Sequence, residues 1–255
     1  MGVAITSKQP NNDPLPPVAL VVGATGYTGR EVVRLLAEQG IQTIAHIRPD
    51  SPMRDTWQER FTKQGARCDF TPWEAEHFEQ TIQTVQPTHV FSLLGTTRKR
   101  TQRERKEGAR FTGYDGVDYG LSVLLLNACD ALSTPPRFLY LSSLGVRAST
   151  GNAYLDARWR VEEKVRGSEI PYTIVRPCFI TGKDRDENRT LERVGSILSD
   201  GALSVLGKFG AKGLQRKFQS ITGTELAAAL IHLSFDSAAT NQTIESGHLP
   251  MPPAL

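Results

Sequence analysis

Five apolar residues, Val18-Ala-Leu-Val-Val22, break off abruptly at Gly23-Ala24-Thr25-Gly26-Tyr27-Thr28-Gly29, and an amphipathic stretch from Arg30 to Gln39 follows at once. An unbroken apolar run of that length reads as a strand buried on both faces, the habit of parallel sheets. Three glycines at three-residue intervals then suit a turn that carries a dinucleotide. The first allows a tight bend, the second lets the backbone approach a pyrophosphate, and the third lets the next helix lie close on the strand. Free N–H groups and the positive end of the helix dipole at that helix start favour an anion. A glycine turn without a ligand is the competing account.

The same alternation continues along the chain. Apolar or β-branched runs at 18–22, 41–47, 66–70, 89–94, 137–142 and 172–176 are separated by stretches of helical length. That rhythm predicts an α/β fold, a doubly wound parallel sheet with helices on both faces. Ser51-Pro52 and Thr71-Pro72 place a cap before a proline suited to a first helical turn, and Gly40 follows the first helix. Thr71 to Glu74 and Thr222 to Glu225 have capping-box spacing. Residues 1–17, polar and rich in Pro and Asn, read as a flexible tail, and 18–255 as one domain. Within it, 178–220 reads as a variable substrate-side excursion of a small C-terminal region, with Phe179, Leu203, Leu206 and Phe209 as apolar lining.

Composition narrows the function classes. With 255 residues, the chain can bury roughly 70% of its unfolded surface without a cross-link. No apolar run is long enough for a bilayer, and the start lacks a signal peptide's apolar segment, so the expected location is cytoplasmic, away from any membrane. Cys68, Cys129 and Cys178 are odd in number and far apart, which suggests reduced core residues. The five histidines are scattered without ligand spacing, so no metal is expected. A net charge of +3 does not point to nucleic acid. The basic run Arg98-Lys-Arg100, continued by Arg103, Arg105, Lys106 and Arg110, suits either an anionic substrate or partner, or a solvated loop and helix start.

The end of the second strand reads the cofactor. An acidic residue there holds the ribose hydroxyls of NAD, whereas an arginine accepts the extra phosphate of NADP. The strand ends in Arg48, and Asp50 comes only after Pro49. NADP(H) is therefore the preferred ligand, with NAD(H) left open and a solvated loop charge as the other account of Arg48. Asp69 after the third strand suits the adenine edge or a simple turn.

GATGYTG at 23–29, SLLGTTR at 92–98, YLSSLG at 140–145 and IPYTIVRP at 170–177, in this order, resemble the atypical short-chain dehydrogenase/reductase group, including its Tat-interacting-protein-like and NmrA-like members. The resemblance implies a Rossmann-type fold, nicotinamide dinucleotide binding and a redox role on a small carbonyl or alcohol. It implies Tyr154 as acid/base, Ser143 as the serine that orients the carbonyl, and the residue four after the tyrosine as its electrostatic partner. In this chain that residue is Arg158 where the group has lysine. A packed aromatic is the other account of Tyr154. Gly95-Thr96-Thr97 resembles the loop beside the cofactor riboses. Two other functions stay open: a non-catalytic NADP(H) sensor or scaffold read by protein partners, and a nicotinamide-dependent epimerase or dehydratase. The oligomeric state is unread.

Overall fold

The computed structural model describes residues 16–96, 101, 102, 106, 108, 111–178, 180, 181 and 221–250. Among them, β1 Val18–Val22, β2 Gln42–His46, β3 Arg67–Asp69, β4 His89–Ser92, β5 Arg137–Leu141, β6 Tyr172–Arg176 and β9 Gln242–Glu245 form one sheet. Every pairing is parallel, in the order β3-β2-β1-β4-β5-β6-β9. The short strands β7 Ile180–Thr181 and β8 Ile221–Thr222 pair separately. Helices α1 Gly29–Glu38, α2 Arg54–Lys63, α3 Ala75–Val85, α4 Ser122–Asp130, α5 Ala153–Arg166 and α6 Gly223–Phe235 connect these strands, and a π-helical stretch, Tyr114–Leu121, leads into α4.

Successive residues of each central strand feed opposite layers, as a pleated strand requires. Ala19 and Val21 of β1 join Val32, Leu36, Leu226 and Leu230, so α1 and α6 cover that face. Leu20 and Val22 join Phe78, Ile82, Leu125 and Val161, so α3, α4 and α5 cover the other. The Rossmann-type, doubly wound architecture expected from the sequence is thus realised, with the order reversing between β1 and β4. Ligands of such sheets bind outside the carboxyl ends of the strands at that reversal.

Three local expectations change. A seventh strand, β9, joins the sheet beyond the six expected: Gln242-Thr-Ile-Glu245 is short, mixed in polarity and only partly buried at the edge. Thr71 does not cap α3, which starts after Glu74: its hydroxyl donates to Asp69 at 2.8 Å and lies 2.7 Å from the Thr81 hydroxyl. Likewise α2 starts after Met53 with no side-chain cap, leaving Pro52 in the approach turn. The capping box at Thr222 and Glu225 does form, and Gly40 leaves α1 at φ +73°.

Cys129 is buried and its thiol is pushed up to about 12, while Cys68 and Cys178 are half-buried. No described helix is long and apolar enough to cross a membrane. Among the described residues no three metal-ligating side chains cluster.

His89 opens β4 with its ring stacked 4.0 Å from that of Phe235. Burial, then the nearby Arg137, push its pKa from 6.5 down to about 4. The unfolded imidazole therefore takes up a proton between those values that the folded one refuses. Stability is full above about 6.5 and is lost as pH falls towards 4. Urea unfolding should show a lower midpoint at pH 5 than at pH 7. His89→Gln should remove about 1 kcal/mol of that difference, after allowance for solvent screening of a part-exposed ring.

Candidate functional site

The glycine turn is wedged against the end of β4. Gly23 has φ +86°, and a Cβ there would lie 2.6 Å from the carbonyl oxygen of Leu93. At Gly29 a Cβ would strike the Gly23 carbonyl and come within 2.9 Å of the Ala24 Cα. Only glycine permits both approaches. The Gly26 N–H donates to the Gly23 oxygen at 3.0 Å, which closes the turn, and Gly26 itself stands exposed at the crevice mouth. Thr25 is half-buried and Thr28 is buried at the start of α1. A narrow backbone turn with a helix N-terminus behind it is the kind of cradle that suits a pyrophosphate.

Tyr27 leaves the turn sideways. Its hydroxyl donates to the Thr181 carbonyl of β7 at 3.0 Å, and its ring fills the space where a Cβ at Gly223 would be, 2.5 Å from that position. The glycine turn is thereby joined to β7 and to the start of α6.

Around the end of β2, Arg48 Nη1 lies 3.7 Å from Asp50 Oδ2, so the carboxylate two residues on is a partner of the arginine. Asp69 accepts from the Thr71 amide at 3.3 Å and from its hydroxyl at 2.8 Å, the geometry of a turn-forming aspartate. His46 is buried beside it, with Nε2 2.9 Å from the Thr71 carbonyl, and burial pushes its pKa below the ordinary value.

Beyond the ends of β4 and β5, the candidates from the fifth helix come together. Tyr154 starts α5, whose N-cap Asn152 accepts from the Tyr154 and Leu155 amides. The Arg158 guanidinium lies 4.9 Å from the Tyr154 ring centre and is 3% exposed. It donates to the Leu141 carbonyl at the end of β5, to the Leu94 carbonyl at 3.1 Å and to Asp118 Oδ1 at 3.0 Å. Burial opposes its charge, but Tyr154, Tyr140 and Asp118 face it and hold its pKa above the ordinary arginine range. Gly95 is part of the same contact, since a Cβ there would stand 3.0 Å from Arg158 Nη2. The Thr96 amide donates to the other Asp118 oxygen at 3.0 Å.

Ser142 donates to Glu162 Oε1 at 2.6 Å, and Ser143 follows it, also buried. Thr97 lies outside the described residues, as do most of the basic run 98–110, the lining residues Phe179, Leu203, Leu206 and Phe209, and nearly all of 178–220.

Asp118 is the residue that sequence reasoning missed. It sits in the π-helical stretch, an uncommon form that often marks functional positions. A signal was available: a carboxylate between Gly116 and Gly120 stands just before the apolar run Leu121-Ser-Val-Leu-Leu-Leu126. A Cβ on Gly116 would come 3.2 Å from the Phe111 backbone, which explains the small residue beside it.

Known proteins share the family and the fold of this chain. A family model described as NAD(P)H-binding matches residues 23–204. The mitochondrial protein FMP52 of Debaryomyces hansenii is 26% identical over 222 residues, which cover 85% of this chain and 87% of that protein. The mitochondrial NADH dehydrogenase (ubiquinone) 1 alpha subcomplex subunit 9 of Arabidopsis thaliana is 26% identical over 234 residues, covering 90% of this chain but 53% of the relative. The chain thus spans about half the length of that second relative. Among solved structures, a Thermus thermophilus UDP-glucose 4-epimerase in complex with NAD superposes with a TM-score of 0.60 at 16% identity, covering 89% of this chain and 76% of the other, a likeness of fold. With the glycine turn at the sheet's reversal and a family match that runs from Gly23 through most of the chain, this protein belongs to the NAD(P)H-binding family, in the atypical short-chain dehydrogenase/reductase group.

Proposed function

We propose that the protein is an NADP(H)-dependent oxidoreductase acting on a small carbonyl or alcohol, with Tyr154 as acid/base, Ser143 as the orienting donor and Arg158 as electrostatic partner. The observation that carries this reading is the meeting of Tyr154, Arg158 and the Leu94–Thr96 loop at the ends of β4 and β5, beside the Gly23 turn. When bound, the nicotinamide supplies or takes up the hydride. The Tyr154 phenol gives its proton to the carbonyl oxygen as that oxygen becomes an alcohol, and takes it back in the reverse direction. The buried positive charge of Arg158 stabilises the tyrosinate left behind. The Ser143 hydroxyl donates a hydrogen bond to the same oxygen and fixes the carbonyl plane. Gly23, Thr25, Gly26, Tyr27, Thr28 and Gly29 would hold the pyrophosphate, Gly95 and Thr96 would line the ribose side, and Asp69 would meet the adenine.

Arg48 is proposed to grip the 2′-phosphate, exchanging Asp50 for it, because a planar guanidinium matches phosphate oxygens better than a surface carboxylate at 3.7 Å. Titration followed by nicotinamide fluorescence tests this. NADPH should bind at least about tenfold more tightly than NADH, and Arg48→Asp should erase the preference, because a charge-assisted contact is worth about 1.5–3 kcal/mol. Equal affinities in the wild type would remove the NADP assignment. Binding of neither dinucleotide would remove the oxidoreductase reading with it.

One observation favours a second reading. The Arg158 guanidinium already serves two backbone carbonyls and Asp118, and a partner so engaged suits a protein that binds NADP(H) without turnover and is read by protein partners. Tight NADPH binding with no oxidation across a broad carbonyl panel would select it. A cytoplasmic location belongs to the first reading and is tested by cell fractionation, since the names of both curated relatives carry the word mitochondrial.

A further inference from the structure

Helix α5 carries Tyr154, Arg158, Glu162 and Arg166 at intervals of four, which places them one above another on one face. The upper pair belongs to the site just described. Glu162, one turn below Arg158, is 0% exposed, and its oxygens are saturated. Oε1 accepts from the Ser142 hydroxyl at 2.6 Å and from Arg176 Nε at 2.9 Å. Oε2 accepts from Arg176 Nη2 and from Arg166 Nη2, both at 2.6 Å. A carboxylate held by four donors, three of them cationic, has little freedom to turn.

The grip falls on the strand end that precedes Ser143. Two turns of α5 take two successive residues: Arg158 holds the Leu141 carbonyl, and Glu162 holds the Ser142 hydroxyl. The backbone is pinned on both sides as well, since the Ser142 amide donates to Val175 at 2.7 Å and the Leu144 amide to Pro177 at 3.0 Å. Ser143 lies between these anchors. The same arginines reach the edge strand, with Arg176 Nη1 3.6 Å from Glu245 Oε1 and Arg166 Nη2 donating to Thr243 Oγ1 at 3.3 Å.

We propose that Glu162 is a positioning residue for the reaction read above: through Ser142 it fixes Ser143, through α5 it fixes Tyr154, and through Arg166 and Arg176 it ties their separation to β9. The proposal rests on the oxidoreductase reading for its catalytic consequence, but not for its geometry.

The test compares wild type, Glu162→Gln, Ser142→Ala and the double variant, using the full chain. Urea unfolding and NADPH titration are measured on each, along with kcat and KM for a carbonyl that the wild type reduces. Protein labelled with 3-fluorotyrosine is also followed by fluorine NMR, with the Tyr154 resonance assigned by its loss in Tyr154→Phe. Small misplacements of reacting groups cost up to about 100-fold, so kcat should fall about 10- to 100-fold in Glu162→Gln while NADPH affinity is kept. The double variant should be no worse than the poorer single one, because the two side chains act as a unit. The Tyr154 resonance should shift in Glu162→Gln and move the same way in Ser142→Ala. Losses in kcat that multiply, together with an unmoved Tyr154 resonance, would leave Glu162 a purely structural charge and overturn the proposal. A wild type that binds NADPH but reduces nothing would sink the oxidoreductase reading alone, and the fluorine resonance would then decide the positioning role by itself. If Glu162→Gln does not fold, Ser142→Ala breaks the same contact from the strand side, and an unmoved Tyr154 resonance in that variant overturns the proposal equally.

Discussion

Asp118→Asn should lower the unfolding free energy by about 3–5 kcal/mol, the cost of leaving one member of a buried ion pair without its countercharge. The substitution keeps the shape of the side chain and an oxygen for the Thr96 amide, so the loss falls on Arg158. Asp118 and Arg158 are 1% and 3% exposed, and the guanidinium has no route to solvent that would spare it. For a chain of this size the thermal midpoint should drop by roughly 10 °C, at about 2–4 °C per kcal/mol. Replacing both partners by apolar residues of similar volume, Asp118→Leu with Arg158→Met, should recover most of the stability while removing the charge beside Tyr154. Urea unfolding curves decide the matter, and a loss below about 1 kcal/mol in Asp118→Asn would mean that the pair is solvated.

Tyr154→Phe should reduce kcat by about 10²- to 10⁴-fold, the range carried by a positioned acid/base. The ring keeps its edge-to-face contact with Tyr114 at 5.4 Å and stays under Arg158 at 4.9 Å, so folding and NADPH affinity should change little. What is removed is the phenolic hydroxyl, with its proton and its hydrogen bond to Arg158. Single-turnover reduction of a carbonyl accepted by the wild type measures the effect directly. A variant that retains more than about a tenth of wild-type turnover would exclude Tyr154 as the proton donor.

The sequence announces β1, the glycine turn and α1 because each depends on local chemistry: an apolar strand, a bend only glycine can make, and a helix start. Five of the six expected strands, β2, β1, β4, β5 and β6, lie inside the sheet, where burial on both faces keeps most of their positions apolar. Gln242-Thr-Ile-Glu245 escapes notice because an edge strand pairs on one side only and needs no apolar run. Thr71 misleads because its hydroxyl is engaged by Asp69 and by Thr81 rather than by the first amides of α3. Arg158 is visible as a departure from lysine, but the partners of its two terminal nitrogens are not. The Leu94 carbonyl that it holds is 64 residues away and the Asp118 carboxylate 40 away. Asp118 and Glu162 both owe their importance to such distant partners, which spacing along the chain does not identify.

The contact of Tyr27 with Thr181 and Gly223 bears on how this chain can be recombined. A chimera that imports β7, β8 and the start of α6 from a relative also imports whatever stands at position 223, and any side chain there would meet the Tyr27 ring. Residues 27 and 223 therefore travel as a pair. Exchanging β7, β8 and the start of α6 requires that the glycine turn be exchanged along with them, or that the tyrosine be trimmed to match.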